Sequence, residues 1–182
     1  IYKNYIYILN YIRELNESYD YNQILLALNE LSKRIPDLEV IFAGWDVSTY
    51  EIPFKHQNLG IMKIEELSEL YGKCDLCLVI SNTNLSLLPL EVMASGSVAV
   101  CSKGANSEWL VNEDNSILVS YDPIEIADTM YSYMIDSIKL DNIRKKGIEF
   151  AQNTSWDVEG KKVLEAVLKG IKEDEKCINN RG

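Results

Sequence analysis

The stretch Ser81–Gly96, SNTNLSLLPLEVMASG, sets one carboxylate, Glu91, among Leu87, Leu88, Leu90, Val92, Met93 and Ala94. A carboxylate buried in such a helix must be paired, protonated or hydrogen-bonded. Glu91 therefore reads as either a structural anchor or a ligand-binding group. One kind of anchor, the capping box, requires Ser or Thr three residues earlier, and position 88 is Leu. A favourable interaction with the helix dipole, or a hydrogen bond to a neighbouring loop, stays open. The functional alternative is a carboxylate that accepts from a polar ligand group, such as a pair of ribose hydroxyls. Cys74-Asp-Leu-Cys77 has the spacing of a metal or redox motif. No second CxxC exists, however, and the only histidine, His56, lies in another segment. With Cys77 inside the apolar run Leu76–Ile80, buried and reduced thiols are expected.

The elements that must position these residues follow from short apolar runs alternating with helical patterns. Strands are expected over Tyr5–Asn10, Leu38–Ala43, Asn58–Met62, Asp75–Ile80, Ser97–Cys101 and Ser116–Ser120. Helices are expected over Tyr21–Arg34, Ile64–Lys73, from about Leu85 through Glu91, and briefly over Asn106–Val111. From Pro123 onward the chain reads as helical, over Pro123–Ile138, Leu140–Asn153 and Trp156–Glu173, with a frayed end at 174–182. Strands apolar on both faces and separated by helices imply an α/β fold, a Rossmann-like doubly wound parallel sheet of about six strands. The expected strand order is 3-2-1-4-5-6. That order puts the ligand crevice after strands 1 and 4, at Tyr11–Arg13 and Ser81–Asn84. A helix opening there offers unsatisfied N–H groups to an anion.

At 182 residues and 47% hydrophobic content, one domain with a substantial core is expected, over residues 1–173. The 18 Lys and Arg against 28 Asp and Glu give a net charge of -10, which argues against a nucleic-acid binder. A small phosphorylated ligand needs only a few local donors and stays open. No apolar run approaches the roughly 18 residues of a membrane span. No GxGxxG follows the first strand and no GK[ST] loop occurs, which weighs against nicotinamide, flavin and P-loop enzymes. No carboxylate cluster has metal-ligand spacing, so no metal is expected. The chain starts at Ile1 without a signal segment and reads as a fragment of a longer protein.

Longer stretches resemble a known family. NLGIMKIEELSELYGKCDLCLVISN, positions 58–82, resembles the glycosyltransferase pattern xLGxVsxeeLxxLYxxaDlxvxpS. LPLEVMASGSVAVCS, positions 88–102, resembles lpLEaMAcGxPVVas. Glu108 with Asp114–Val119 resembles E…DGxNGxLV, and Ser155-Trp156 a common C-terminal sW. In order and spacing these are similar to the C-terminal, donor-binding half of a GT-B glycosyltransferase of the large retaining family 4 type. The resemblance implies that Glu91, the second glutamate of a Glu-x7-Glu motif, holds the donor ribose. It implies that the backbone of Leu87 and Leu88, with Asn84 and Arg13 nearby, meets the diphosphate. The main chain of Ile61 and Met62 would read the nucleobase, and Gly44 and Trp45 would border the pocket. A nucleotide sugar would be the donor, with no cofactor. A glycan or other hydroxyl would be the acceptor, and an N-terminal GT-B domain would be the partner. Bacterial cytoplasm is the implied location, at the inner face of the membrane if the absent part reaches it.

The departures matter as much. Thr83 stands where the first glutamate of the motif would be, and the usual glycines before the helix are Asn84–Leu87. Of the cations that normally clasp the diphosphate, Arg13 is left, with Asp20-Tyr21-Asn22 where Lys-Gly is usual. Pro89-Leu90-Glu91 is closer to the PPLE signature of bacterial rhamnosyltransferases, which points to a deoxythymidine or uridine diphosphate sugar. Catalytic residues would then lie on the N-terminal domain, and the isolated chain is expected to be inactive. The alternatives are a degenerate, non-catalytic module that binds a partner or glycan, and a GT-B-like sugar-nucleotide 2-epimerase, for which His56 alone is poor support. Trp109 and Trp156 are expected to pack in the core, while Trp45 divides evenly between packing and stacking a ligand ring.

Overall fold

Apolar strands separated by helical stretches can pair side by side in parallel, and the computed structural model has that arrangement. It describes residues 5–9, 19–44, 46–80 and 85–179. In chain order the elements are β1 (Tyr5–Leu9), α1 (Tyr19–Arg34), β2 (Glu39–Ala43), β3 (His56–Asn58), α2 (Ile64–Lys73) and β4 (Leu76–Val79). They continue with α3 (Leu88–Ala94), β5 (Val98–Ser102), β6 (Ile117–Val119), α4 (Pro123–Met134), α5 (Ser137–Asn153) and α6 (Trp156–Asn179). All six strands pair in parallel, in the order β3-β2-β1-β4-β5-β6. The winding reverses between β1 and β4, as expected for a doubly wound sheet. Two units are distinguished: Ile1–Ala151, which holds the sheet, and Gln152–Gly182, which holds α6.

Strands β4 and β5 are buried at every position, because both faces of the sheet are covered. On one face, Leu28 and Leu31 of α1 and Ile126 and Met130 of α4 meet Phe42, Leu78 and Val100. On the other, Tyr71 of α2 and Val92 and Met93 of α3 meet Ile41, Cys77, Val79 and Cys101. Burying each large side chain of this kind contributes roughly 1.5–3 kcal/mol. Helix α4 starts sharply because the Asp122 carboxylate accepts from the amides of Ile124 and Glu125, at 3.0 and 2.9 Å, with Pro123 at the first helical position.

Helix α5 passes from one layer to the other: Leu140 and Ile143 join the first, Phe150 and Ala151 the second. It crosses the amino edge of the sheet. There Arg144 pairs with Asp141 of its own helix and, at 3.3 Å, with Asp75 just ahead of β4. Two glycines set how closely the helices approach α3. A Cβ on Gly72 of α2 would lie 2.9 Å from the Ser95 carbonyl oxygen. One on Gly147 of α5 would lie 3.0 Å from the Asn115 carbonyl oxygen and 3.2 Å from Met93 Cγ. Helix α3 is thus gripped from two sides.

Helix α3 starts at Leu88 where about Leu85 was expected, α4 ends at Met134 where Ile138 was expected, and three elements differ further. The third strand is His56–Asn58, not Asn58–Met62, and all three of its residues are exposed. Its partner β2 ends at Ala43, and Gly60 at φ 59° turns the chain away. The apolar run Leu59–Met62 that suggested a strand therefore lies beyond the ladder. The expected helix over Asn106–Val111 is a set of turns closed by isolated bonds, Ser107 and Glu108 to Gly104 and Leu110 and Val111 to Ser107. The last helix runs on to Asn179 instead of stopping at Glu173.

The thiols are as expected. Cys74, Cys77 and Cys101 are buried and free, with Cys74 Sγ donating to the Leu70 carbonyl and Cys77 Sγ beside Ser97 Oγ, both at 3.3 Å. Burial pushes the Cys77 thiol well up and that of Cys101 up to about 12.

Two outcomes are expected. At pH 8 only on the order of 10⁻⁴ of Cys101 would be thiolate. Alkylation of the native chain, mapped by peptide mass, should therefore spare Cys74, Cys77 and Cys101 and reach them only after unfolding. Rapid labelling of any of the three would contradict their burial. Gly147→Leu should lower stability by roughly 1–3 kcal/mol through overpacking against Met93 and the Asn115 carbonyl. A denaturant midpoint equal to wild type would show that α5 does not grip α3 there.

Candidate functional site

Ligands of doubly wound sheets bind outside the carboxyl ends of the strands where the winding reverses, here β1 and β4. Arg13, Trp45, Thr83 and Asn84 lie outside the described residues. The described rim of this edge consists of the start of α3, the ends of β2 and β3, and the segment that leaves β5.

Helix α3 buries Pro89, Val92 and Met93 and turns Leu87, Glu91 and Ala94 outward. Glu91 is thus exposed, not buried as its apolar neighbours suggested. Pro89, Val92 and Met93 occupy the opposite helical phase, so the carboxylate keeps its water. Among the described residues it has no hydrogen-bond or ion-pair partner. Its charge still reaches inward: burial, and after it Glu91, pushes the Tyr71 hydroxyl well above its ordinary pKa.

The backbone ahead of Glu91 is unusual. Leu87 is the N-cap and 41% exposed, and Leu88 is half-buried. The amides of Leu90 and Glu91 both donate to the Leu87 carbonyl, at 3.0 and 3.2 Å, while Pro89 has no N–H. Ser86 has φ 52°, the only positive φ of a non-glycine among the described residues. Ser86 falls within the 84–87 segment where the resembled pattern has its glycines, so the chain keeps a glycine-like turn without glycine.

At the ends of β2 and β3 a short polar network closes the edge. The Gly44 amide donates to the Gly60 carbonyl at 2.7 Å, and the Leu59 amide to that of Phe42 at 2.8 Å. Asp46 Oδ1 accepts from the Ser48 amide at 2.9 Å and from Asn58 Nδ2 at 2.6 Å. Asn58 Oδ1 accepts in turn from the amides of Val47 and Gly60, at 3.4 and 3.3 Å. The Ser48 amide and the Asn58 side chain hold the Asp46 carboxyl below its usual range. The network is therefore complete at neutral pH and loosens only as pH falls through that lowered value. Gly44, Ile61 and Met62 are brought together here. Met62 is half-buried, whereas Ile61 is 87% exposed. Sequence reasoning missed Asp46 and Asn58. The signals were the Asp-x-Ser spacing of an Asx turn and the Asn-Leu-Gly turn signature.

After β5, Lys103, Glu108, Asn112, Glu113, Asp114 and Leu118 line an open cavity of about 540 Å³. Its charges pair locally: Lys103 with Glu113 at 3.8 Å, Asp114 with Lys146 at 2.7 Å, and Glu108 with the Gly104 amide at 2.9 Å. Trp109, expected in the core, is 63% exposed with its indole N–H on the Asn106 carbonyl. Trp156 is 80% exposed. Among the described residues no group of three or more His, Cys, Asp or Glu side chains is placed to hold a metal ion.

Comparison with known proteins bears on this edge. The family described as "WsaF, C-terminal domain" matches residues 7–131, which include α3 and the network at β2 and β3. The chain belongs to the WsaF C-terminal domain family. The O-antigen biosynthesis protein RfbC of Myxococcus xanthus is 29% identical over 164 residues, covering 87% of this chain and 13% of that protein. The Anabaena protein Alr3699/HepE, solved in complex with UDP, superposes with a TM-score of 0.72 at 15% identity, over 92% of this chain and 49% of that one. The C-terminal domain of the group 1 glycosyl transferase LpcC from Francisella tularensis superposes at 0.68 and 19% identity, over 84% and 86%. At these identities the structural likeness is one of fold. This WsaF-type chain has the fold of the C-terminal domain of GT-B glycosyltransferases. It is a glycosyltransferase-like domain, and no helix among its described residues is long and apolar enough to cross a membrane.

The strained turn yields an expected outcome. Ser86→Gly should raise stability by about 0.5–1 kcal/mol and Ser86→Val should lower it by about 1–2 kcal/mol. Thermal unfolding checks both, and equal midpoints for the two variants would remove the left-handed turn from the account.

Proposed function

We propose that this chain is the nucleotide-sugar-binding half of a glycosyltransferase that moves a hexosyl or deoxyhexosyl group to a hydroxyl of a glycan or other acceptor. The setting we infer is synthesis of bacterial surface polysaccharide, in the cytoplasm, with a UDP- or dTDP-linked donor and no further cofactor. The observation that carries this reading is Glu91: an exposed carboxylate without a hydrogen-bond or ion-pair partner among the described residues, one turn into the helix at the carboxyl edge. A carboxylate is an acceptor-only group and fits the 2′- and 3′-hydroxyls of a uridine donor, or the single 3′-hydroxyl of a deoxythymidine one. Membership of the WsaF C-terminal domain family supports the reading, as do the UDP complexes of HepE.

In this reading the departing diphosphate meets the start of α3. Pro89 lacks an N–H and the amides of Leu90 and Glu91 are taken, which leaves that of Leu87 for an anion, together with that of Leu88 once it gives up its 3.4 Å bond to Ser86 Oγ. Arg13 and Asn84 would complete that contact, the main chain of Ile61 and Met62 would read the base, and Gly44 and Trp45 would border the pocket. Donors already aimed where charge develops lower the barrier to breaking the sugar–phosphate bond. Thr83 carries no charge with which to meet the transferred sugar, so acceptor activation falls to an N-terminal domain. The isolated chain would then bind donor and turn over little of it.

Titration with UDP, dTDP, GDP and ADP tests this. One nucleotide should bind saturably, and Glu91→Ala should weaken it on the order of 10–100-fold, as expected for a hydrogen bond to a charged group. A 2′,3′-dideoxy nucleoside diphosphate should lose the same factor in wild type and nothing further in the variant. Binding that ignores both changes would remove Glu91 from the ribose. Absence of binding in the full-length protein would favour the degenerate module.

A further inference from the structure

We propose that Asp46 and Asn58 are positioning residues for the base-recognition segment Leu59–Met62, and that they govern which nucleobase the site accepts. This deepens the donor-binding reading above and rests on it. The segment is held at its two ends, by the Leu59 amide on the Phe42 carbonyl and by Met62 packed on the core, but its middle has little of its own to hold it in place. Leu59 and Ile61 are 39% and 87% exposed, Gly60 takes φ 59°, and the strand ladder has ended at Asn58. A main chain left that loose would lose conformational entropy each time it closed on a ring, on the order of 1–2 kcal/mol per residue. Recognition by backbone groups is selective only when those groups already face the ligand.

The two side chains supply that order. Asn58 uses both ends of its amide: Nδ2 donates to Asp46 at 2.6 Å, while Oδ1 accepts from Val47 and Gly60 at 3.4 and 3.3 Å. Val47 is 4% exposed and belongs to the core cluster, so Asn58 ties Gly60 to packed structure. The Gly44 amide closes the same loop on the Gly60 carbonyl at 2.7 Å. Asp46 holds Asn58 in the one orientation that presents Oδ1 to Gly60. The pair touches no expected ligand position itself, and it acts through the backbone of residues 59–62.

The experiment is calorimetric titration of the full-length protein with four nucleoside diphosphates and with inorganic pyrophosphate. Asn58→Ala should weaken the preferred nucleoside diphosphate about tenfold, flatten the preference among bases, and leave pyrophosphate affinity unchanged. Asp46→Asn should behave as wild type, because its amide oxygen still accepts from Ser48 and Asn58, whereas Asp46→Ala should follow Asn58→Ala. Equal weakening of pyrophosphate, or unchanged base preference in both alanine variants, overturns the proposal. If wild type binds no nucleoside diphosphate, the donor reading fails first, which is distinct from binding that ignores these residues. Should the alanine variants fail to fold, hydrogen exchange of the wild-type amides at 59–62 decides. Protection before any ligand is added is the expected result, and free exchange overturns it.

Discussion

The close approach of α3 to its two neighbours is the constraint from which the candidate site follows. A seven-residue helix is too short to be stable alone. It persists because Val92 and Met93 are sunk into the sheet, because Gly72 lets α2 approach the Ser95 carbonyl at its end, and because Gly147 lets α5 close on the Met93 side chain. That grip fixes the rotation of α3 about its axis. Rotation decides that Pro89, Val92 and Met93 face in and that Glu91 faces out, one turn beyond the left-handed Ser86. A side chain on either glycine would push the helix and re-aim the carboxylate.

The two ends of the sheet are built differently, and the difference suits a binding protein. The amino edge is crossed by α5 and closed by Arg144 between Asp75 and Asp141. The carboxyl edge has no such cover among the described residues. It is held by short polar links from loop to strand, of which Asp46 with Asn58 and Gly44 with Gly60 are the best defined. Such links order a backbone without filling the space above it. The net charge of -10 is no obstacle to an anionic ligand at this edge, because a few oriented amides act locally whereas surface charge is screened within about 10 Å.

Much of the fold was legible because burial on both faces leaves a simple record. Strands β2, β4 and β5 are near-continuous apolar runs, and α2 was delimited to the residue by its amphipathic pattern and flanking turns. What was misread lies where an element is half-exposed or very short. Strand β3 is polar and lies on the sheet edge, so the apolar residues after it drew the eye instead. The 106–111 segment has helix-forming residues but makes only isolated turns, because no continuous ladder forms there. Glu91 was given the wrong burial. A run of apolar letters does not say which arc of a short helix touches the sheet.

By itself the sequence determined the parallel α/β architecture, the strand order, the reversal point and the carboxylate in the helix after β4. All of these follow from local periodicity and from the handedness of crossovers, which depend on chain chemistry alone. Only the tertiary structure decided that Glu91 is exposed and without a partner among the described residues, that Ser86 bears the left-handed turn, and that Asp46 reaches Asn58 across 12 positions of chain. Each of these depends on how closely separate elements approach, a distance set by packing of the whole core and written in no single stretch of residues.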